Sequence, residues 1–458
     1  MCFLVDDLNE IAMRKTIYIL ALSMIQMGAF AQVLSLDSCK SLALENNKKL
    51  KEAHYEVQAA EQVKKSAFTK HFPRIDAGAV AMKSNKSLLE IDIPEMNLPV
   101  YDGNPINLMT PTEFAYFPGM SMDMLDYTNA ASITAILPIF AGGRIFYGNQ
   151  LAELGIEVSD LNLLLTTDEV ILNTEYYFWT IMSLKEKNKT LVSYREMLES
   201  LEKDANIAEN AGLLHKSNGL KIQLELGKIK SKELKLNNGI EMLKMSLAQH
   251  IGIPYSENLD FDDQDIEMMT IASLSYAPEV SVLERSEYKM LSKAIDAEVL
   301  KKRMVRGEIL PQLSMGVQGL YLDVLEKNNT YGLAFATLRI PISDWWGGAH
   351  EIKEHNIKIE MAQTRLEEST EMLMLQIEKA YKDLNESVQQ IEVSQVSLSQ
   401  ATEHFKVMDD NYKAGLVNTS DLLEARALLQ QAHDDLWDDK TNMKIKQAYY
   451  LQAIAQLK

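Results

Sequence analysis

The chain has 458 residues, 65 acidic and 46 basic, for a formal charge of −19. That balance, with no concentrated basic patch, excludes a surface built to track phosphates, so nucleic acid is not expected as a partner. Apolar residues make up 47%, enough for a sizeable core, while two cysteines, Cys2 and Cys39, exclude both a disulfide framework and a four-ligand zinc site. From Met13 the sequence reads MRKTIYILALSMIQMGAFAQ: Arg14 and Lys15, an apolar run, then the small-residue site Ala29-Phe30-Ala31. This is the pattern of a secretory signal peptide over residues 1–31, and the acidic MCFLVDDLNEIA before it fits no basic leader, so the true start is expected at Met13. Cys39 stands in LDSC, a faint echo of a lipoprotein site, but Asp37 and the distance from the apolar run argue against lipidation. Beyond the signal no stretch of about 18 apolar residues remains, so any membrane span has to be β.

A first helix is expected over 36–71, followed by a short alternating strand at about 74–83 in which Ile75, Ala77, Ala79 and Ala81 share a face. Residues 84–129, rich in Pro, Met and Asn, read as a long external loop. A second strand at about 130–140 sets Ala131, Ile133, Ala135 and Leu137 against Ser132 and Thr134. Then Ile156, Leu163, Val170, Tyr177, Leu184, Leu191, Leu198 and Ala205 recur every seven residues, the periodicity of a coiled coil. An arm of about 65 helical residues would be roughly 100 Å long. It breaks at Gly212, in NAGLLHKSN, and a returning helix follows, for which Ser217 is the expected N-cap. The acidic link SENLDFDDQDIEMM at 256–269 ends this first repeat, 32–255.

The second repeat, 270–458, runs through the same elements. A helix at 277–308 leads to a strand at about 312–322, where Leu313, Met315, Val317 and Tyr321 oppose Ser314, Gly316 and Gln318. A strand at about 331–341 places Tyr331, Leu333 and Phe335 on its apolar face against Gly332, Ala334 and Ala336. Ile352, Ile359, Leu366, Leu373 and Ala380 hold one heptad position of the next arm, and Ile377, Leu384, Ile391, Leu398, Phe405 and Tyr412 the other. The arm breaks at Gly415, in KAGLVNTSD, and returns with Ser420 as the expected cap. Pro73 and Pro311 are 238 residues apart, whereas Pro138 and Pro341, like Gly212 and Gly415, are 203 apart. The two copies therefore differ only in the connection between their strands. Four strands cannot close a barrel, the smallest outer-membrane barrels having about eight, so strands that span require several copies of the chain.

The signal peptide, the doubled order of helix, strand, strand and long helical hairpin, and the phrase YKAGLVNTSDLLEAR at 412–426 together resemble the TolC family of outer-membrane efflux proteins. The resemblance covers essentially the whole chain after the signal. It implies a mainly α fold with a membrane β-barrel portion: a homotrimer whose strands form one twelve-stranded barrel, continued by a twelve-helix tunnel across the periplasm. It also implies a passive exit duct in outer-membrane lipid, coupled through a periplasmic adaptor, or membrane fusion protein, to an inner-membrane pump. Carried onto this sequence, Gly212, Leu213, Gly415 and Leu416 fall at the tips where the family meets its adaptor. Asp421 and Glu424 match the carboxylates of the periplasmic gate, Tyr412 matches a tyrosine that latches it, and Asn218 stands where that tyrosine's acidic partner is usual. A basic residue common just after the second tip glycine is replaced here by Val417. Independently of the family, Asp421 and Glu424 are i and i+3, on one face of a first helical turn where negative charge is favoured. Three copies would set six carboxylates round one axis, a ring that attracts cations.

Other signals carry less. His350 and His355 in HEIKEH are i and i+5, about 140° apart on a helix, and cannot share a metal as an i, i+4 pair does. The methionines of GMSMDM at 119–124 admit metal-ion efflux through soft ligands, but methionine is also a common packing residue. WWGG at 345–348 fits an interfacial aromatic belt better than a ligand site. There is no nucleophile–base constellation and no phosphate loop, so neither an enzyme nor a cofactor is expected. A polypeptide-secretion conduit and, from another class, a periplasmic coiled-coil scaffold remain as alternatives to small-molecule efflux.

Overall fold

The computed structural model describes residues 33–86, 89–124, 127–212, 215–262, 277–324 and 327–457; the expected signal peptide and half of the acidic link lie outside them. Two compact units are formed. One gathers the chain up to Ala59 with Glu157–Lys293 and Ala362–Lys458, the other Ala60–Ile156 with Ala294–Met361.

The first unit is helical. Strand β1 (Val33–Leu34) pairs in parallel with β8 (Asp260–Phe261). Helix α1 (Leu36–Asn46) is capped by Ser35, whose hydroxyl accepts from the Ser38 amide at 3.2 Å. Between α1 and α2 (Lys48–Phe68) the chain bends at Asn47, and between α5 (Pro278–Glu284) and α6 (Ser286–Glu308) it bends at Arg285. The two bends have the same backbone conformation, φ −59° and ψ 129° against φ −64° and ψ 138°, and lie 238 residues apart, the offset of the first proline pair. Each seats a buried polar side chain. Asn47 donates to the His250 carbonyl at 2.8 Å and accepts from the Lys49 amide at 2.9 Å, while the Arg285 guanidinium grips Glu287 and Gln376.

The long hairpins are α3 (Arg144–Asn210) with α4 (Lys216–His250), and α7 (Asp344–Lys413) with α8 (Thr419–Ala453). Both returning helices have 35 residues. Heptad spacing makes them pack: Leu191, Leu198 and Ala205 are buried with Ile222, Leu226 and Ile229, and Leu373, Ile377, Leu384 and Ile391 are buried with Leu436, Met443 and Tyr450. A fully buried Leu or Ile adds about 1.5–3 kcal/mol, so these seams dominate hairpin stability. Cys39 is fully buried in the same core, and burial pushes its thiol up to about 12.

In the second unit, β2 (Arg74–Lys83), β7 (Tyr127–Phe140), β9 (Gln312–Val324) and β10 (Lys327–Arg339) form one antiparallel sheet in the order β10-β9-β7-β2. Its edge strands β2 and β10 have no further partner among the described residues. Cross-strand partners share a face, so the register sorts the side chains. Ile75, Ile133, Met315, Val317 and Leu338 lie on one face, all more than half exposed, and Asp76, Thr134, Gln318 and Ser314 on the other. The fourth strand departs from the sequence reading. Tyr331, Leu333 and Phe335 sit opposite Leu320, Gln318 and Gly316, hence on the more polar face, and the apolar face is carried by Ala334, Ala336 and Leu338. Gly316 is the reason: a Cβ there would lie 2.5 Å from Phe335 Cζ, so the missing side chain makes room for the ring.

Residues 84–129 are also more ordered than a loop. Strands β3 (Leu89–Ile93) and β6 (Met120–Met124) pair, as do β4 (Met96–Pro99) and β5 (Phe114–Phe117), giving a two-stranded excursion that, among the described residues, pairs with itself and not with the four-stranded sheet. Where strand passes to helix, Gly142 (φ 64°) abuts Gly307; a Cβ on Gly142 would stand 2.0 Å from the Gly307 carbonyl oxygen. Nearby a cavity of about 980 Å³ is lined by Arg74, Asp76, Arg144, Glu308, Gln312 and Ser314 among others. No helix among the described residues is long and apolar enough to cross a membrane, which says nothing of β-strands.

Candidate functional site

The hairpin tips end their helices in the same way. At the second, the Gly415 amide donates to Tyr412 O at 3.0 Å and the Leu416 amide to Asn411 O at 2.9 Å, the paired bonds of a Schellman turn. That turn needs a left-handed residue, and Gly415 has φ 71°. Gly212 has φ 72° and donates to Glu209 O at 2.9 Å. Beside neither glycine would a Cβ meet anything within 4 Å, and the Leu416 side chain is 74% exposed, so the second tip presents an apolar residue on open backbone. Leu213 lies outside the described residues.

The start of α8 corrects the expected cap. Asn418, not Ser420, is the N-cap: its side chain accepts from the Ser420 amide at 2.7 Å and the Asp421 amide at 3.2 Å. Asp421 Oδ2 accepts in return from the Asn418 amide at 3.2 Å, which completes a capping box. Asn wins because its side-chain carbonyl reaches both amides, and Ser420 is left free to accept from Lys221 Nζ at 2.7 Å, a bond between the two hairpins. In the first hairpin the cap position is His215, with no side-chain bond, and Ser217 lies inside the first turn of α4. Glu424, one turn beyond Asp421, is exposed. Tyr412 reaches Thr419 Oγ1 across its own turn at 3.5 Å; among the described residues no hydrogen bond joins it to Asn218, which is half-buried on α4.

Sequence reasoning missed what joins the hairpins. Along α8, Arg426, Gln430, Asp434 and Asp438 follow each other at four-residue spacing, on one helix face. They meet Ser183, Lys187, Thr190 and Tyr194 of α3. Asp438 accepts from Ser183 at 2.9 Å and from Lys187 at 2.5 Å. Gln430 donates to Thr190 at 2.7 Å and to Asp434 at 2.9 Å. Burial pushes the Asp434 carboxyl above its ordinary range, with Asp438 adding to the rise, against the hydrogen bond from Gln430 and the charge of Lys187. At the tip end of this polar seam the Arg426 guanidinium lies over two rings, 5.2 Å from the centroid of Tyr194 and 5.5 Å from that of Phe405. The signal in the sequence was the i, i+4 run of polar residues, invisible beside the stronger apolar heptads.

Of the weaker signals, His355 Nδ1 is 3.2 Å from Glu298 Oε2, while His350 is exposed. Trp345 donates to the Ile309 carbonyl at 2.8 Å and Trp346 is 73% exposed.

Residues 302–455, most of the second repeat, match the family described as outer membrane efflux protein. The chain also superimposes on solved outer-membrane channels over both repeats. OprN matches at a TM-score of 0.72 with 12% identity, covering 92% of this chain and 90% of that one. The Campylobacter jejuni CmeC channel gives 0.72 with 14% identity over 92% and 85%. The outer membrane protein VceC from Vibrio cholerae gives 0.68 with 11% identity over 92% and 95%. Over residues 302–455 the chain matches the outer membrane efflux protein family, and as a whole it has the fold of these channels. The second repeat carries the sequence match, and the first shares the fold. No curated protein sequence matches the chain. In the family frame the hairpin tips and the first turns of α4 and α8 are the candidate functional surface.

Proposed function

We propose that this chain is the outer-membrane channel of a tripartite efflux system, a passive exit duct for small molecules across the periplasm and outer membrane. The observation that carries the reading is the four-stranded sheet with both edges unpaired and one face apolar and exposed. Open edges of this kind call for pairing, and three copies joined β2 to β10 make a closed twelve-stranded barrel whose apolar face meets lipid. The three pairs of hairpins then continue it as a periplasmic tunnel of twelve helices. Energy comes from an inner-membrane pump through a periplasmic adaptor, which docks on Gly212, Leu213, Gly415 and Leu416. An exposed leucine on glycine-turned backbone suits knob-in-groove contact with another helical hairpin.

At the mouth, Asp421 and Glu424 of three copies form an acidic ring that favours cations, with Tyr412 and Asn218 bordering it. Because Asn218 and Val417 withhold the charges of the family's usual latch, the mouth is closed by packing and by contacts other than a salt bridge at those positions. The test is single-channel conductance of the purified protein, wild type beside Asp421→Asn with Glu424→Gln. A steady cation-selective pore that loses selectivity in the double variant is expected. A pore indifferent to the change would remove the gate assignment, and a soluble monomer without pore activity would favour a periplasmic scaffold.

A further inference from the structure

Every member of the polar seam between α3 and α8 has a hydrogen-bond partner except one. Asp438 is held by Ser183 and Lys187, and Gln430 by Thr190 and Asp434. Arg426 is 9% exposed and makes no hydrogen bond or ion pair with any described residue; its Nε is fully buried without an acceptor. Its charged end lies against the faces of Tyr194 and Phe405. Those rings belong to different hairpins, Tyr194 to α3 and Phe405 to α7, so the guanidinium sits where the two hairpins meet.

The balance of forces at this point is unusual. Burying a cation without a carboxylate is costly, and cation–π attraction returns only part of that cost. Burial indeed disfavours the charged form of Arg426, with the Tyr194 phenol pulling the other way. The phenol oxygen makes no hydrogen bond with the guanidinium; its hydroxyl donates to the Leu423 carbonyl at 3.5 Å. If α8 moves off α3, the Nε side of the guanidinium, now shut off from any acceptor, regains water and the cost falls. The neighbouring Gln430 has a buried Oε1 without a partner, which adds to the same imbalance.

We propose that Arg426 is a release element: a buried, unpaired cation clamped between Tyr194 and Phe405 that keeps the closed contact between the hairpins weak, so that the mouth opens at low cost. The inference rests on the duct reading only in calling the parted state an open mouth. Arg426 acts here as a positioning residue; it biases the hairpins and need not touch cargo.

The experiment separates charge from shape. In the full-length protein, Ala425→Cys places a thiol at a position 1% exposed, next to the clamp, and the other thiol past the expected signal, Cys39, is fully buried. The rate of maleimide labelling at the introduced thiol then reports how often α8 parts from its neighbours. It is measured with Arg426 present, with Arg426→Met, which keeps bulk and loses charge, and with Arg426→Lys, which keeps both. Labelling about tenfold slower in Arg426→Met, an opening cost greater by about 1.4 kcal/mol, with Arg426→Lys within twofold of the parent, is the expected result. Single channels of Arg426→Met should open correspondingly less often at unchanged unit conductance. Labelling that is unchanged or faster in Arg426→Met overturns the proposal, because the clamp would then be a plain tether. Absence of any pore in the parent would count against the duct alone, since the labelling order still tests the release element.

Discussion

Asp421 and Glu424, the carboxylates proposed for the gate, are in different structural circumstances, so removing them should give different pairs of effects. Asp421 closes the capping box of α8, accepting from the Asn418 amide at 3.2 Å, and stands in the first turn. Asp421→Asn weakens the reciprocal bond and removes a charge that the helix N-terminus favours, together about 0.3–1 kcal/mol. Glu424 is exposed one turn further on, and Glu424→Gln should change local stability by no more than about 0.5 kcal/mol either way. Hydrogen exchange at the Ser420 and Asp421 amides, both held by the Asn418 side chain, reads this directly. The Asp421 variant should exchange roughly two- to fivefold faster there, as 1.4 kcal/mol corresponds to a factor of ten, and the Glu424 variant should match wild type. In planar bilayers both single variants should lower cation selectivity to a similar degree, because each removes one carboxylate per copy from the same ring. Equal exchange in the two variants would show that Asp421 does not support the turn. A selectivity loss confined to Asp421→Asn would show that selectivity follows the turn's geometry and not the ring's charge.

The Asp260 carboxyl is pushed up by burial but held below its ordinary range overall by the Phe261 amide, Lys185 and Lys244. Its contribution is complete above the unfolded value of about 3.9 and is lost as pH falls through the lower folded value. Asp260→Asn should therefore flatten the acid limb of thermal stability below about pH 4, as read by melts at a series of pH values. Gly316→Val would press on the Phe335 ring and on the Ala135 carbonyl, 3.0 Å from an added Cβ; overpacking of about 1–3 kcal/mol should cut the yield of trimer on native gels, whereas Gly332→Ala, with open space at its Cβ, should not. Replacing 84–126 by a two-residue link, as between β9 and β10, should spare trimer assembly, since the excursion pairs only with itself. Gly415→Trp should leave assembly intact and abolish adaptor co-purification, because the site opens on empty space although φ 71° strains any side chain.

The heptads were the most legible part of the fold. From Ile156 to Ala205, and from Ile352 to Tyr412, every residue picked out at seven-residue spacing is buried or half-buried, because an apolar repeat of that period leaves a helix only one way to hide it. The sheet was legible in its alternation but not in which face a given strand would show. Tyr331, Leu333 and Phe335 look like an apolar face in isolation. Only pairing with β9, where Gly316 accepts the Phe335 ring, turns them to the other side. The two-stranded excursion at 89–124 was hidden by its composition. Pro, Gly and Asn interrupt it often enough to mask alternations as short as Ile91 and Ile93 against Asp92.

At the tips the sequence pointed to the right turn but to the wrong atoms. Gly212 and Gly415 announce left-handed helix ends, and both adopt them. Serine is as good a cap by preference as asparagine, so Ser420 and Asn418 cannot be told apart until the turn fixes which side chain reaches two amides. That choice has a consequence for the mouth. With Asn418 as the cap, Asp421 is bound into the turn while Glu424 is left exposed, and Ser420 is released to hold Lys221 of the other hairpin. Asn218 and Val417 are uncharged, and the contacts that bridge the hairpins near the tips include a lysine on a hydroxyl, the Tyr194 phenol on the Leu423 carbonyl and an arginine between rings. Neither the lysine nor the arginine forms an ion pair with a described residue. Near the tips such contacts hold little Coulombic energy for salt to screen, and the hairpins' one ion pair described in this seam, Lys187 with Asp438, lies further from the tips, so raising ionic strength should alter the rate at which the mouth opens less than removing the charge of Arg426 does.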